Sequence, residues 1–232
     1  MEYFVSAVIA AAGNSTRMGG GKSKQFLDLL GKPAVSYTLS AFQNCDLVNE
    51  IIVVCRPQDR DELLSVVNTY GISKFKCAVN GGETRAQSVN NGISELNEKA
   101  THILIHDGAR PLILPDEISK TVLKAFECSA CAIGIPVVDT IKVVSKNGEI
   151  LSTPDRKSLF AVQTPQVFEK ELYFKAICNS ENLGEEITDD CKLIEMLGEK
   201  VCVVCAESEN FKLTSPEDIL YAEAVLKKRG CR

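Results

Sequence analysis

The stretch "AVIAAAGNSTRMGGGKSKQF", residues Ala7–Phe26, joins an apolar run to a loop of small and basic residues. The apolar run Tyr3–Ala12 predicts a first strand, and the loop leaves its carboxyl end. Open α/β sheets bind their ligands at that edge. The stretch therefore predicts an α/β fold with a binding loop directly after the first strand.

The charge of this loop points to a polyphosphate. No carboxylate occurs between residues 3 and 27, although the whole chain has a formal net charge of −5. Arg17, Lys22 and Lys24 supply positive charge, and small residues between them let successive backbone N–H groups point at one anion. An ordinary solvated loop is the alternative. The isolation of positive charge and the position after the first strand favour the polyphosphate site.

Two familiar phosphate-binding patterns do not fit this loop. A P-loop, GxxxxGK[ST], that ends at "GKS" would need glycine at position 16, where the chain has Thr16. The dinucleotide pattern GxGxxG, begun at Gly19, would need glycine where Lys24 stands. Both mechanisms need glycine where the backbone approaches phosphate, so neither explains the loop.

Composition narrows the class of protein. A chain of 232 residues with 45% hydrophobic residues suits one large α/β domain, and we expect a single domain over residues 1–232. The net charge of −5 disfavours a general nucleic-acid-binding protein, which is usually basic. The sequence shows no signal-type start and no apolar run long enough to cross a membrane. We therefore expect a cytoplasmic protein with no membrane or nucleic-acid partner.

The ten cysteines are best explained as free structural thiols. Two CxxC pairs, Cys128/Cys131 and Cys202/Cys205, together resemble a zinc site. However, "KVCVVCAE" reads as a buried strand, where a spacing of three places the two sulfurs on opposite faces. No glycine-rich knuckle flanks either pair. Metal binding and redox activity stay open as the less favoured alternatives.

Apolar runs alternate with helical patterns along the chain, which predicts a mostly parallel sheet with helices on both faces. The predicted strands are Tyr3–Ala12, Glu50–Cys55, Phe75–Val79, His102–His106, Ala130–Val137 and Lys200–Ala206. The predicted helices are Lys32–Phe42, Pro57–Gly71, Thr84–Leu96, Pro115–Cys128, Glu186–Gly198 and Ser215–Arg229.

The pattern changes after Pro136. "TIKVVSKNGEILSTPDR", residues 140–156, predicts two short strands about the turn Asn147-Gly148. A two-stranded ribbon is marginally stable in water, so it must pack on something, for which a second subunit is the candidate.

The end of the fourth predicted strand carries a candidate metal ligand. "ILIHDGARP" places Asp107 at a strand end, and a carboxylate near a phosphate loop suits Mg²⁺. A helix cap or turn former is the alternative role for Asp107. His106 is read as structural, and His102 is expected at the surface.

Taken together, the motifs resemble a known family. They are "AAAGNSTRMG…SKQF", "GGETRAQSV", "HDGARP", "PVVDTIK", "DRKSLFAVQTPQVF", "ITDD" and "ENFKLTSPED", and they span nearly the whole chain. In this order they resemble the 2-C-methyl-D-erythritol 4-phosphate cytidylyltransferases. The resemblance implies a single Rossmann-like nucleotidyltransferase domain with a protruding β-hairpin arm. It also implies a reaction in which CTP and methylerythritol 4-phosphate give the cytidine diphosphate alcohol and pyrophosphate.

The resemblance implies roles for residues around the nucleotide. Arg17 and Lys24 would stabilise charge on the α-phosphate and the leaving group, with Lys22 auxiliary. Asp107 would hold Mg²⁺, with Glu209 as a less certain metal-proximal residue. Both Glu83 and Glu209 stand where the family often has Asp. The implied nucleotide-binding residues are Ala11, Ala12, Gly13, Gly82, Glu83, Ser88 and Gly108.

The resemblance also implies an acceptor site and a homodimer. The arm, about residues 137–157, would cross to a partner subunit and deliver Arg156 there; a surface ion pair is the alternative for Arg156. The implied acceptor-binding residues are Arg156, Lys212, Thr140, Arg110, Thr188 and Asp139. Two other functions stay open: a ribitol-5-phosphate cytidylyltransferase, and a catalytically silent CTP-binding module.

Overall fold

The structure is a computed structural model that describes residues 3–13, 23–180, 189–207 and 209–231. The strands are β1 (Val5–Ala11), β2 (Asp28–Leu29), β3 (Lys32–Pro33), β4 (Glu50–Cys55), β5 (Phe75–Asn80), β6 (His102–Asp107), β7 (Ala130–Pro136), β8 (Val143–Val144), β9 (Ile150–Ser152), β10 (Phe160–Glu169) and β11 (Cys202–Cys205). The helices are α1 (Ala34–Gln43), α2 (Arg60–Thr69), α3 (Arg85–Ile93), α4 (Pro115–Cys128), α5 (Lys170–Ser180), α6 (Asp190–Met196) and α7 (Pro216–Lys228). Among the described residues, no helix is both long and apolar enough to cross a membrane.

Seven of the strands form one sheet in the order β11-β7-β10-β6-β1-β4-β5. β10 is antiparallel to its neighbours β6 and β7, whereas the other neighbouring pairs are parallel. The predicted α/β fold with a mostly parallel sheet is confirmed. Because β1, β4 and β6 run in one direction, their carboxyl ends meet at one edge, and the segments that follow them can enclose a ligand there.

Both faces of the sheet are buried under helices. On β1, Val5, Ala7 and Ile9 pack into the core beneath α1, α2 and α4, while Val8 packs into the core beneath α3, α5 and α6. This alternation follows from the two-residue period of a strand, and it explains why the first strand reads as a continuous apolar run. Each buried Val or Ile contributes about 1.5–3 kcal/mol, so the strand is a rigid base for the loop that follows it.

The predicted boundaries hold best where the signals are strongest. Glu50–Cys55 and Pro115–Cys128 begin and end as predicted. β10 and α5 were not predicted. Pro165 interrupts the apolar pattern of β10, which is accommodated by a register shift between Val162 and Gln166. α5 follows β10 at the next residue, so no glycine, proline or cap separates the two elements.

The expectation for His102 is wrong. His102 is buried, with its ring edge-on to Phe126 and to Tyr3. His106 has the structural surroundings that were expected. It is fully buried, its Nδ1 lies 3.1 Å from Thr164 Oγ1, and burial lowers its pKa to about 3. With a pKa this low and no exposure to solvent, His106 is suited to packing rather than to proton transfer.

The cysteines are all free thiols. The partly buried Cys202 packs against the core on one face of β11, whereas Cys205 is exposed on the other, so this CxxC pair is divided as predicted. Cys128 ends α4, and Cys131 lies beside Cys202 in the sheet. Burial raises the pKa of Cys131 to about 12 and that of Cys128 to about 11. These thiols are therefore protonated at neutral pH and poor nucleophiles.

The predicted hairpin is present as β8 and β9, which pair antiparallel outside the main sheet. Its turn contains Gly148 at a φ of +83°, a conformation that favours glycine. Large apolar side chains on or beside the hairpin are exposed, among them Val138 (82%), Ile150 (64%) and Leu151 (64%). This exposure agrees with the expectation that the ribbon must pack on something else.

Candidate active site

A cavity of about 520 Å³ lies at the carboxyl edge of the sheet. Its lining comes from the ends of β1, β4 and β6, from the segment before α3, and from Lys24, Gln25 and Lys212. Arg17, Lys22 and Thr188 lie outside the described residues, so their predicted roles stay predictions. The cavity is nevertheless where the strand order predicts a ligand.

The end of β1 forms the floor of the cavity. Ala12 and Gly13 line it, and Ala11 is buried directly behind them. Gly108 packs on this floor: a Cβ there would lie 3.0 Å from the Ala11 Cβ, and its N–H donates to Ala10 O at 2.9 Å. The predicted nucleotide-binding residues of this segment therefore lie together with Gly108.

The segment before α3 approaches this floor closely because it contains glycine. A Cβ on Gly81 would meet the Ala12 Cβ at 2.3 Å, which no side chain could tolerate. The Gly82 N–H donates to Ser88 Oγ at 3.0 Å, and Thr84 and Gln87 form a capping box that starts α3. Gly82, Glu83 and Ser88 all line the cavity, and their predicted contact with the nucleotide stays a prediction. Close backbone approach suits recognition of a flat ring by main-chain groups.

Asp107 is the centre of the charged part of the cavity. Its Oδ2 lies 2.9 Å from Lys212 Nζ and 3.4 Å from Arg110 Nε, and its Oδ1 lies 3.8 Å from Arg85 Nε. Burial acts to raise the pKa of Asp107, but the three cations outweigh it and hold that pKa well below its usual range. Asp107 is therefore ionised and holds cations toward an anion site.

Arg110 contacts Asp107 without lining the cavity. Its side chain is 12% exposed, and its Nη1 donates to the Asn210 carbonyl at 2.9 Å, which ties the chain before Lys212 to the end of β6. Arg110 and Lys212 thus contact the same carboxylate, but Arg110 is not among the cavity-lining residues, and its predicted contact with the acceptor stays a prediction.

Glu209 lies elsewhere. Its Oε2 is 3.8 Å from Arg229 Nη2, and it is not among the residues that line the cavity. Its predicted proximity to a metal stays a prediction.

The arm residues are not brought to the cavity within one chain. Asp139, Thr140 and Arg156 are exposed, and Arg156 Nη1 donates to the Val138 carbonyl at 2.8 Å. None of these three is among the residues that line the cavity. The predicted roles of these three residues at the acceptor stay predictions.

Sequence reasoning missed Arg85. Its Nη1 lies 2.6 Å from Asp190 Oδ2, and Tyr173 OH donates to Asp190 Oδ1 at 2.7 Å. Asp190 begins α6 and Tyr173 belongs to α5, so Arg85 connects both helices to the cation cluster around Asp107. A signal existed in "GGETR", because a cation in the first turn of a helix opposes the helix dipole and needs an acidic partner.

Gln25 is a second missed residue. It is 2% exposed and lines the cavity, and its Oε1 has no hydrogen-bond partner among the described residues. A buried amide without a partner costs free energy, so this oxygen is suited to accept a hydrogen bond from a ligand. The sequence could have indicated a role for Gln25, because it stands directly beside Lys24 in "SKQF".

Comparison with known proteins finds relatives over almost the whole chain. The family model described as 2-C-methyl-D-erythritol 4-phosphate cytidylyltransferase matches residues 5–228. A protein of that name from Caldanaerobacter subterraneus subsp. tengcongensis is 45% identical over 97% of this chain and 99% of the relative. Another, from Halalkalibacterium halodurans, is 43% identical over 100% of both chains.

A solved structure gives the same result. The crystal structure of 4-diphosphocytidyl-2C-methyl-D-erythritol synthase from Anaerococcus prevotii matches with a TM-score of 0.88 at 30% identity. The match covers 97% of this chain and 96% of that chain.

Proposed function

Because the chain belongs to the 2-C-methyl-D-erythritol 4-phosphate cytidylyltransferase family, we propose that it transfers CMP from CTP to 2-C-methyl-D-erythritol 4-phosphate. The products are 4-CDP-2-C-methyl-D-erythritol and pyrophosphate, in non-mevalonate isoprenoid biosynthesis. We further propose that residues 1–232 act as one domain, in the cytoplasm.

The observation that carries this proposal is the cation cluster around Asp107. Lys212 and Arg85 converge on Asp107 in the cavity that Lys24 also lines. The backbone at Gly81, which approaches the end of β1 closely, lines the same cavity. The charged side chains of the cavity suit phosphates, and its closely packed backbone suits a base held by main-chain groups.

The reaction needs positioning and charge stabilisation rather than covalent catalysis. A phosphate oxygen of the acceptor attacks the α-phosphorus of CTP, and the bond to pyrophosphate breaks in line. Lys24 stabilises the charge that develops on the α-phosphate and the leaving group, a role we also assign to Arg17. Lys212, oriented by Asp107, places the acceptor phosphate.

We propose that Mg²⁺ enters this cavity with the nucleotide. Among the described residues, no group of three or more His, Cys, Asp or Glu side chains could hold a metal alone. Mg²⁺ is commonly bound by one or two carboxylates together with substrate phosphates and water, and Asp107 offers such a carboxylate. When bound, the ion would neutralise phosphate charge.

We propose that the active unit is a homodimer formed through the arm. A ribbon with strands of two and three residues is too small to be stable alone, and its apolar side chains are exposed. Dimerisation would cover these side chains and place Arg156 at the partner's cavity, where the doubly charged acceptor phosphate needs a cation.

The proposed function is tested by pyrophosphate release with two acceptors. Purified protein, CTP and Mg²⁺ are incubated with either 2-C-methyl-D-erythritol 4-phosphate or ribitol 5-phosphate. We expect a much higher kcat/KM for the first acceptor. Preference for ribitol 5-phosphate would support the alternative cytidylyltransferase, and CTP binding without release from either acceptor would support a silent binding module.

A further inference from the structure

A buried carboxylate beside the cavity holds the segment that leads into Lys24. Asp59 is 6% exposed, and its Oδ2 accepts a hydrogen bond from Ser23 Oγ at 2.5 Å. Arg56 donates to the same carboxylate twice, from Nε at 2.8 Å and from Nη2 at 3.0 Å. Ser23 is fully buried as well. Ser23, Arg56 and Asp59 form one network, which we call the Asp59 anchor.

Asp59 is at a helix N-terminus without capping the helix. It occupies the N-cap position of α2, where an aspartate side chain usually accepts a hydrogen bond from the first turn. Its side chain makes no such bond. A cap contributes about 0.5–2 kcal/mol, and here that contribution is absent. The carboxylate instead joins the segment after β4 to Ser23, which is 36 residues away.

The anchor fixes the backbone next to Lys24. Ser23 precedes Lys24 directly, and its carbonyl accepts the Phe26 N–H at 2.9 Å. The Phe26 side chain is 1% exposed in the core. The backbone at Lys24 is therefore fixed by the buried Ser23 hydroxyl before it and by the buried Phe26 ring after it in the chain. Lys24 and Arg56 both line the cavity.

The anchor is ionised at neutral pH. Burial acts to raise the pKa of Asp59, but the hydrogen bonds from Arg56 and Ser23 outweigh it, and the pKa lies below its usual range. The same ion pair raises the pKa of Arg56. The carboxylate and the guanidinium thus stay charged throughout the range in which the enzyme would work.

We propose that Asp59 is a positioning residue for cytidylyl transfer, which sets the place of Lys24 against the α-phosphate through Ser23 and Arg56. The inference rests on the proposed function. A cation that stabilises developing charge must be placed accurately, and a displacement of about 1 Å can cost roughly 100-fold in rate. The loss falls on kcat, because Lys24 acts mainly in the transition state.

The test compares this anchor, which follows β4, with a matched buried carboxylate at the start of that strand. Glu50, at the opposite end of β4, is also buried, accepts Ser6 Oγ at 2.6 Å, and lies 3.7 Å from Lys76 Nζ. Asp59→Asn and Glu50→Gln each remove one buried carboxylate charge of this kind, but only Asp59 lies beside the cavity. We expect kcat to fall about 10- to 100-fold in Asp59→Asn and to stay at the wild-type level in Glu50→Gln.

A double-mutant cycle shows whether Asp59 acts through Lys24. Single-turnover rates with enzyme in excess keep slow variants measurable. In the Lys24→Ala background, Asp59→Asn should cost less than about threefold, because no ammonium remains to be positioned. Ser23→Ala removes only the hydroxyl, and it should likewise lower the rate in the wild-type background but not in the Lys24→Ala background. It replaces Asp59→Asn in the test if Asp59→Asn does not fold.

Three outcomes would overturn the inference. The first is an unchanged kcat in folded Asp59→Asn or Ser23→Ala. The second is the same fold-loss of rate from Asp59→Asn with and without Lys24, and the third is an equal loss of kcat in Glu50→Gln. A wild-type protein that releases no pyrophosphate would instead refute the proposed function.

Discussion

Asp107→Asn should destabilise the free protein and at the same time tighten its binding of metal-free CTP. The substitution keeps the shape of the side chain and removes its charge. Lys212, Arg110 and Arg85 then converge on a neutral amide and repel one another. A bound triphosphate supplies the missing negative charge, so the two effects have opposite signs.

The magnitude follows from the burial of the groups. Removing one partner of a buried ion pair costs about 3–5 kcal/mol. The side chains of Lys212 and Arg85 are 35% and 33% exposed, so solvent screens part of this loss, and we expect about 2–3 kcal/mol. For a chain of this size that lowers Tm by about 4–12 °C. A charge about 8 Å from phosphate is worth about 2 kcal/mol at an effective dielectric constant of 20. Screening in an open cavity would leave about 1 kcal/mol, or fivefold in Kd.

The pH dependence has a definite sign. The folded protein holds the pKa of Asp107 below its unfolded value, so its contribution to stability is fully present above the unfolded value of about 3.9. The Tm difference between wild type and Asp107→Asn should therefore be constant from pH 8 to about pH 5 and shrink only as the pH falls below about 4.

Calorimetry provides the assay. Thermal unfolding and CTP titration are carried out in EDTA, and turnover is measured separately with Mg²⁺. We expect a lower Tm, a larger stabilisation by CTP and a lower turnover for the variant. An unchanged Tm, or weaker CTP binding in EDTA, would refute the assignment of Asp107 as the counter-charge of the cluster.

Three further predictions concern the base, the thiols and the arm. CTP should have a much higher kcat/KM than UTP if, as we propose, backbone groups near Gly82 read the base edge; equal values would contradict cytosine recognition. Elemental analysis should find no stoichiometric zinc, because Cys202 and Cys205 lie on opposite faces of β11, and one zinc per chain would contradict this. Arg156→Ala and Lys24→Ala homodimers should each be nearly inactive, yet regain up to about half of the native activity after subunit exchange, because one site of each mixed dimer is intact. No recovery despite demonstrated exchange would show that Arg156 does not act in trans.

Local patterns in the chain were sufficient to predict most of the fold. Apolar runs bounded by helix signals predict β1, β4 and β6 because strand and helix periods depend on neighbouring residues. They also predict that the basic loop and Asp107 lie at the same edge, since parallel strands share their carboxyl ends. The resemblance added the family and the reaction, which local patterns could not supply.

Long-range pairings could not be read in this way. The insertion of β10 between β6 and β7, the contact of Lys212 with Asp107, and that of Ser23 with Asp59 join residues far apart in the chain. Such contacts depend on which strands become neighbours and on how side chains are packed between them. The chain alone therefore indicates a phosphate site, whereas tertiary packing determines which cations share one carboxylate and which carboxylate holds the segment that carries Lys24.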